Sequence, residues 1–511
     1  MHHTIHIPSI YGTLVSTSQH DFGHSMQAPK RDWARALRRS FIALARLVLL
    51  HPGAQHLAVI ALVAIALMGL TLPSMSFAAD AEPAAGETTE TIPSTATLPE
   101  MQAWALHGQV TNITQKHSRF KSLYSGANSL NPDGRIEETT DITLFAGVRL
   151  WQGAEFWLNP EIDQGFGFNN TLGVAGFPNG GAYKLGSNAP YLRLPRAFIR
   201  QTISLGGVAQ TIEPAANQLG GTRSANNLTL TAGKFAVTDI FDTNSYAHDP
   251  RADFLNWSII DSGAFDYAAD SWGYTYGSAV EWTQDWLTLR GGVFQLSEIP
   301  NGKVTGLHLN QNALIAELEM RHQVTGRPGK IKLLAFRNHG NMASYREATQ
   351  LGIDTASTPN VALVRRVGSR SGFAVNLEQE VASDVGAFAR FGMNGGDKEA
   401  FEFSDINNSV AAGLSIKGDR WSRHDDTVGV AFAINRLSGS ARDYFSAGGL
   451  GILVGDGALN YGSEKILEAY YTLRANSHLA LTLDFQRIAN PAYNRDRGPV
   501  NFVALRVHGE F

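Results

Sequence analysis

The chain of 511 residues contains no cysteine. That excludes a disulfide framework and every cysteine-ligated metal site, so an exported form must be held together by its fold alone. Paired histidines at ligand spacing are missing, as is the calcium-loop pattern, so neither a metal nor any other cofactor is expected. No G-x-S-x-G or H-E-x-x-H run occurs. His107, His322, His478 and His508 have no nucleophile motif beside them, which speaks against an enzyme. The Gly-rich run GFPNGG at 176–181 lacks the Lys-Ser/Thr of a phosphate loop and reads as an ordinary loop. Beyond residue 79 no apolar stretch is long enough for a membrane helix. Positive charge is scarce as well, with 42 Lys+Arg against 46 Asp+Glu. A chain without a basic stripe is not expected to bind nucleic acid.

What is present begins with an address. Residues 30–46, KRDWARALRRSFIALAR, are basic, and residues 57–72, LAVIALVAIALMGLTL, carry no charge. Pro73 and the small-residue run SFAADA follow. A positive region, an apolar region and an A-x-A-like exit are the parts of a cleaved secretory signal. The apolar stretch is short for a bilayer core of about 30 Å, so cleavage after Ala78 or Ala79 is expected rather than a retained anchor. Nothing before Met26 has targeting logic, and translation starting there is an equally consistent reading. Residues 1–79 are thus expected to be extension and signal, 80–103 a flexible periplasmic leader, and 104–511 the folded domain. Removing 6 basic and 2 acidic residues from 42 and 46 leaves 36 and 44, a net charge of −8.

The folded part alternates persistently. In the final residues VALRVHGEF, Val503, Leu505 and Val507 point one way while Ala504, Arg506, His508 and Glu510 point the other. In DITLFAGVRLW, residues 141–151, Ile142, Leu144, Ala146, Val148 and Leu150 oppose Thr143, Phe145, Gly147 and Arg149. Similar runs recur near 104–115, 154–163, 190–204, 226–236, 272–282, 286–297, 312–322, 329–338, 372–382, 386–394, 409–417, 427–436, 465–475, 478–488 and 501–511. About 16 segments of about ten residues each have the length that tilted strands need to cross a bilayer. Long connections at 116–138, 164–189, 237–271, 339–371 and 437–464 alternate with tight ones such as Gln152-Gly153 and Asn476-Ser477. The pattern predicts an all-β transmembrane antiparallel barrel with long extracellular loops and short periplasmic turns. One connection breaks the rule: 205–225 is either an elaborated turn or a place where the strand count shifts. A terminal Phe511 suits a closing strand whose last ring sits at the membrane interface, and it resembles the signal read by the barrel-assembly machinery of Gram-negative bacteria.

A barrel of this size leaves an aqueous channel. Arg149, Glu155, Glu161, Asp163, Arg196 and Arg200 are all expected on the inner face. A bulge at Pro195, which cannot donate to the ladder, would turn Arg193 inward as well. Arginine forks and carboxylates side by side suit a hydroxyl-rich solute, which both donates and accepts. A ring of one sign would select ions instead. Trp151, Trp157 and Phe198 are candidates to pack on the apolar faces of a sugar. The connection 237–271, with Asp242, Asn244, Asp249, Arg251 and Asn256, either folds into the lumen or forms a surface lid.

Three blocks carry a family resemblance. The stretches from AEFWLNPEIDQGFGFNNTLGVAGFPNG to APYLRLPRAFIRQTISLGG, the run LTAGKFAVTDIFDTNSYAHDPRADFLNWSIIDSGAFDYAADSWGYTYG and the end ILEAYYTLRANSHLALTLDFQRIANPAYNRDRGPVNFVALRVHGEF resemble the carbohydrate-selective porins of the OprB type. The resemblance implies a 16-stranded barrel in a Gram-negative outer membrane. Such a barrel admits mono- or oligosaccharides passively past a constriction lined by arginines and carboxylates. It carries that role onto Arg149, Glu161, Arg193, Arg196 and Arg200. The 205–225 and 339–371 segments depart from the pattern as insertions. A general small-solute porin and a barrel-displayed adhesin or receptor are the competing readings. Residues 80–103 are too few for the plug of an energised receptor. The partners expected are sugar solutes, outer-membrane lipid and the assembly machinery; nothing decides for or against a homotrimer.

Overall fold

The computed structural model describes residues 101–182, 186–402 and 405–511. The expected signal, the alternative start and nearly all of the leader lie outside those residues. The strands are β1 (Trp104–His117), β2 (Arg135–Trp151), β3 (Ala154–Gly165) and β4 (Ser187–Ile212). They continue with β5 (Gly221–Phe235), β6 (Thr275–Gln284), β7 (Leu287–Gln295) and β8 (Asn312–Val324). Then come β9 (Arg327–Met342), β10 (Arg366–Ala382), β11 (Val385–Asn394) and β12 (Asn408–Lys417). The last are β13 (Thr427–Arg436), β14 (Glu464–Asn476), β15 (Leu479–Ala489) and β16 (Val500–Glu510). Each pairs with its sequence neighbours, and β1 pairs antiparallel with β16, so the sheet closes. Among the described residues no helix is long and apolar enough to cross a membrane; the strands make the wall.

Period-two patterning decides which face meets which medium. On β2, Ile142, Leu144, Val148 and Leu150 are exposed while Thr143 and Phe145 are buried inside. On β16, Val503 and Leu505 face out and Ala504, Arg506 and His508 face in. Every expected segment falls on one observed strand. The 205–225 connection is an elaborated turn, not a shifted count. There β4 and β5 run on as a hairpin past bulges at Ser204, Gly206 and Ala209. The expected bulge on β4 is also present: Asn159 pairs Arg196 and Glu161 pairs Arg193, leaving Leu194 and Pro195 opposite Pro160.

Glycine has a use beyond turns here. Inward-facing Gly147, Gly233, Gly277, Gly372, Gly413 and Gly429 lie directly across the ladder from Trp157, Phe198, Phe294, Phe336, Phe388 and Tyr470. A Cβ on Gly147 would sit 2.5 Å from the Trp157 ring. Each ring can therefore lie flat across its partner strand instead of projecting into the interior. Gly147→Ala is expected to lower the urea midpoint of the refolded barrel, at a cost of about 1–3 kcal/mol for an overpacked site. An unchanged midpoint would show that the ring has room to move.

The apolar core lies inside the barrel. Phe241, Phe254 and Phe265, from the segment between β5 and β6, meet Phe294, Phe388 and Phe336 of the wall at ring separations of 5.9, 5.6 and 5.2 Å.

Candidate functional site

The segment 236–274 is bonded to the inner faces of strands all round the barrel. Its backbone supplies most of its partners. The Glu317 carboxylate on β8 accepts the N–H of Asp242 at 2.7 Å, and Glu378 on β10 accepts that of Ser245 at 2.7 Å. Glu468 on β14 accepts the N–H groups of Leu255 and Asn256. Donors complete the set. Arg506 on β16 gives hydrogen bonds to the carbonyls of Pro250, Ala252 and Asp253. Arg390 on β11 gives them to Ile259 and Ala247. Charged hydrogen bonds to backbone are the stronger kind, and a loop whose only regular structure is two short helical turns, Val237–Asp239 and Trp257–Ile260, needs the rest of its buried backbone satisfied.

The candidate residues sort into three groups. The first is a buried network. Arg193 reaches Glu161 at 2.6 Å and also pairs with Asp163. Arg251 bonds Asp141 on β2 at 2.8 Å and stands 3.6 Å from Glu161. Thr143 donates to Glu161 at 2.6 Å. Glu161 and Asp163 are sealed from solvent at 1% and 2% exposure. The second group stands at the short-turn rim. Arg149 donates to the carbonyls of Gln102 at 2.9 Å and Gly220 at 3.2 Å, and Arg200 to that of Asn217 at 2.8 Å. Glu155 lies 3.8 and 3.9 Å from the two arginines. The elaborated turn 213–220 is thus folded back onto these side chains.

A third group faces open space, and it takes in Arg251 of the first group and Arg200 of the second. A cavity of about 1800 Å³ inside the barrel is lined by Arg196, Arg200, Asp249 and Arg251 among the candidates. Arg196 holds Asp239 with two bonds of 2.7 and 2.8 Å, and its guanidinium lies 4.9 Å from the centre of the Tyr274 ring. Burial alone would raise the Asp239 carboxyl, but Arg196 and the Ala236 N–H hold it below the usual carboxylate range. A depressed pKa makes the pair stabilising above about pH 4 and weaker as acid protonates Asp239. In the same segment His248 lies 3.6 Å from Asp261. Burial opposes its charge, yet Asp261 more than offsets this and raises its pKa.

Two expectations about aromatics are corrected. Trp157 is fully buried against Gly147, and Trp151 is 58% exposed, donating to Gln201 at 2.6 Å beside the β2–β3 turn. Neither faces the cavity. The rings that do include Trp272, with Tyr274 and Phe198 at the cavity's edge and largely covered. The sequence reading also passed over Arg290. It bonds Glu281, Glu317 and Glu319 at 2.9, 2.8 and 2.9 Å and lines the cavity. Alternation along 286–297 places it inward, so the signal was there. Among the described residues no cluster of three or more metal-ligating side chains occurs.

Residues 127–511 match the family model described as the carbohydrate-selective porin, OprB family. The chain belongs to that family. The solved high-pH structure of Pseudomonas putida OprB is similar to this OprB-family barrel, with 16% identity and a TM-score of 0.61 over 80% of this chain and 94% of that one. At that identity the likeness shows the fold. The outer membrane channel DcaP of Acinetobacter baumannii matches at 13% identity and a TM-score of 0.46, over 80% and 97%. No curated protein matches the sequence. This OprB-family member is an outer-membrane porin, with its long loops extracellular and its short turns periplasmic. Family and fold are those of passive channels rather than enzymes.

Proposed function

We propose that sugars diffuse passively through this barrel and that the segment 236–274 narrows their path. The observation that carries the reading is the cavity wall beside that segment. There Arg196, Arg200 and Arg251 stand among Asp239, Asp249 and the Trp272 and Tyr274 rings. Mixed donors and acceptors replace part of a sugar's hydration, and the half-buried Trp272 ring offers a flat face to its C–H groups, while Arg196 lies against the buried Tyr274 ring. Binding must stay weak, or the solute does not leave. Arg149, Glu155, Glu161, Asp163 and Arg193 take a supporting part in this reading: they fix the wall and the position of Arg251 rather than meeting the solute. Export by a cleaved signal within 1–79 and insertion by the barrel-assembly machinery complete it.

Liposome swelling tests the proposal, comparing glucose and larger sugars with amino acids of similar size. Faster swelling with sugars is expected, and Arg196→Ala or Arg200→Ala should reduce that preference several-fold. Equal swelling with all small solutes would leave a general porin. No swelling would turn attention to the long loops as a receptor surface.

A further inference from the structure

The outer wall carries a cluster that the pore does not use. On β13, β14 and β15 the inward residues Asn435, Glu464, Ile466, Gln486 and Ile488 are buried. Alternation therefore sends Arg436, Lys465 and Arg487 outward, and all three are exposed. They sit at the extracellular ends of adjacent strands. Ile434 pairs Lys465 and Leu467 pairs Arg487, so each cation is the diagonal neighbour of the next. Diagonal neighbours on one face stand about 7–8 Å apart. Arg487 donates to Asn501 of β16 at 3.0 Å, and exposed Lys116 of β1 lies diagonal to Asn501.

This face has no counter-charge of its own. Among the described residues Arg436, Lys465 and Arg487 form no ion pair with a carboxylate. Glu464, Glu468, Asp484 and Glu510 on the same strands share the inward parity of those buried positions. The first outward acid is Glu138 of β2, diagonal to Lys116, where the patch ends. Wall position does not demand such a cluster. The equivalent outward residues at the rims of β10, β11 and β12 are Val367, Ser369, Met393 and Asn408, all uncharged, and on β9 beside them Arg337 is a single outward cation that donates to Ser369 at 3.0 Å. Deeper in the membrane than the cations the same face shows Phe432, Leu467 and Phe485, exposed to the bilayer, with Ile434 between Phe432 and Arg436. Cations spaced this way beside lipid repel one another unless an anion lies between them, and the chain around them is net acidic.

We propose that this face binds a phosphorylated lipid of the outer leaflet. Its phosphates would be held between Arg436, Lys465 and Arg487, with its acyl chains along Phe432, Leu467 and Phe485. Guanidinium forks suit phosphate oxygens, and each such cation near a membrane surface contributes appreciably to anionic-lipid affinity.

Native mass spectrometry of the purified barrel in detergent tests this with bisphosphorylated lipid A, the same lipid dephosphorylated, and inorganic phosphate. The parent should retain the bisphosphorylated lipid. The R436Q/K465Q/R487Q variant should bind it more than about tenfold more weakly, while R436K/R487K retains it. Sugar-driven swelling by the triple variant checks folding, because none of the three residues faces the lumen. Equal retention of the dephosphorylated lipid by the parent would overturn the proposal, and so would undiminished binding by the triple variant. If that variant does not refold, the phosphorylated-to-dephosphorylated ratio on the parent decides alone. Full displacement by millimolar inorganic phosphate would reduce the face to a simple anion site and overturn lipid docking.

Discussion

Replacing residues 240–270 by a short Gly-Ser link should raise single-channel conductance several-fold and abolish any preference for sugars over other neutral solutes of equal size. The barrel should survive the change, because its closure depends on strand pairing that the link leaves intact. Glu317, Glu378, Glu468, Arg390 and Arg506 lose backbone partners. They lose them into an emptied, water-filled interior, so no charge is left buried and unpaired. The packing of Phe241 and Phe254 on Phe294 and Phe388 is lost too, so the melting temperature should fall. A milder variant separates anchoring from presence. Glu468→Ala leaves two loop N–H groups without an acceptor, at about 1–3 kcal/mol each if they stay dry. It should broaden conductance fluctuations without reaching the open level of the replacement. Conductance unchanged by the full replacement would mean that solutes do not pass this segment, and the proposed constriction would fail.

How much of this was legible depends on where the chain meets lipid. Along 141–151 one face must be apolar, so the period shows, and the strand ends where the reading ends, at Trp151. The same strand begins at Arg135, six residues before the apolar alternation, because beyond the bilayer both faces are wet and selection for alternation stops. The hairpin beyond Ser204 is the extreme case. Gly206 and Gly207 both have positive φ, the bulges there break the period, and no sequence signal says that Asn217 and Gly220 return to Arg200 and Arg149. Pro195 was informative because a missing donor has one local consequence, and Pro160 stands opposite the bulge it makes.

The candidate site was less legible, for a different reason. Alternation says which side chains face in, but not which of them are used up there. Glu161 and Asp163 are consumed by Arg193 and Arg251, one on the next strand and the other 90 residues away in the 236–274 segment. Arg196 and Arg200 look equivalent to Arg193 in the sequence, yet they line the cavity. Trp157 failed as a sugar platform because Gly147, across the ladder, gives its ring a place to lie. That pairing joins residues 10 apart through a strand register the sequence does not print.

Deleting Phe511 alone should lower the amount of barrel assembled in the outer membrane by about tenfold or more while leaving refolding in detergent nearly normal. On the proposed reading of Phe511 as an assembly signal the two outcomes differ, because recognition and stability make separate demands on the residue. In the folded barrel it extends the closing pair by one step: its N–H bonds the carbonyl of Gly108 at 2.9 Å, and Gly108 returns a bond at 3.1 Å. Its ring lies over Gly108, where a Cβ would come within 2.3 Å of it, and is 70% exposed on the outer wall. Losing those contacts costs about 1–2 kcal/mol, small against a pairing that runs from Gln109–Glu510 to His117–Phe502. A large loss in cells with a small loss in detergent therefore reports recognition of the unfolded terminus, not stability. Gly108→Val is the converse probe, displacing the ring while leaving the terminus intact for recognition; it should weaken the refolded barrel more than deletion does and assemble better. Removing residues 500–511 should abolish both, since β1 and β15 would each present an unpaired edge to lipid at several kcal/mol per unsatisfied group. Normal assembly of the Phe511 deletion in cells would end its reading as a signal, leaving it an ordinary member of the closing strand.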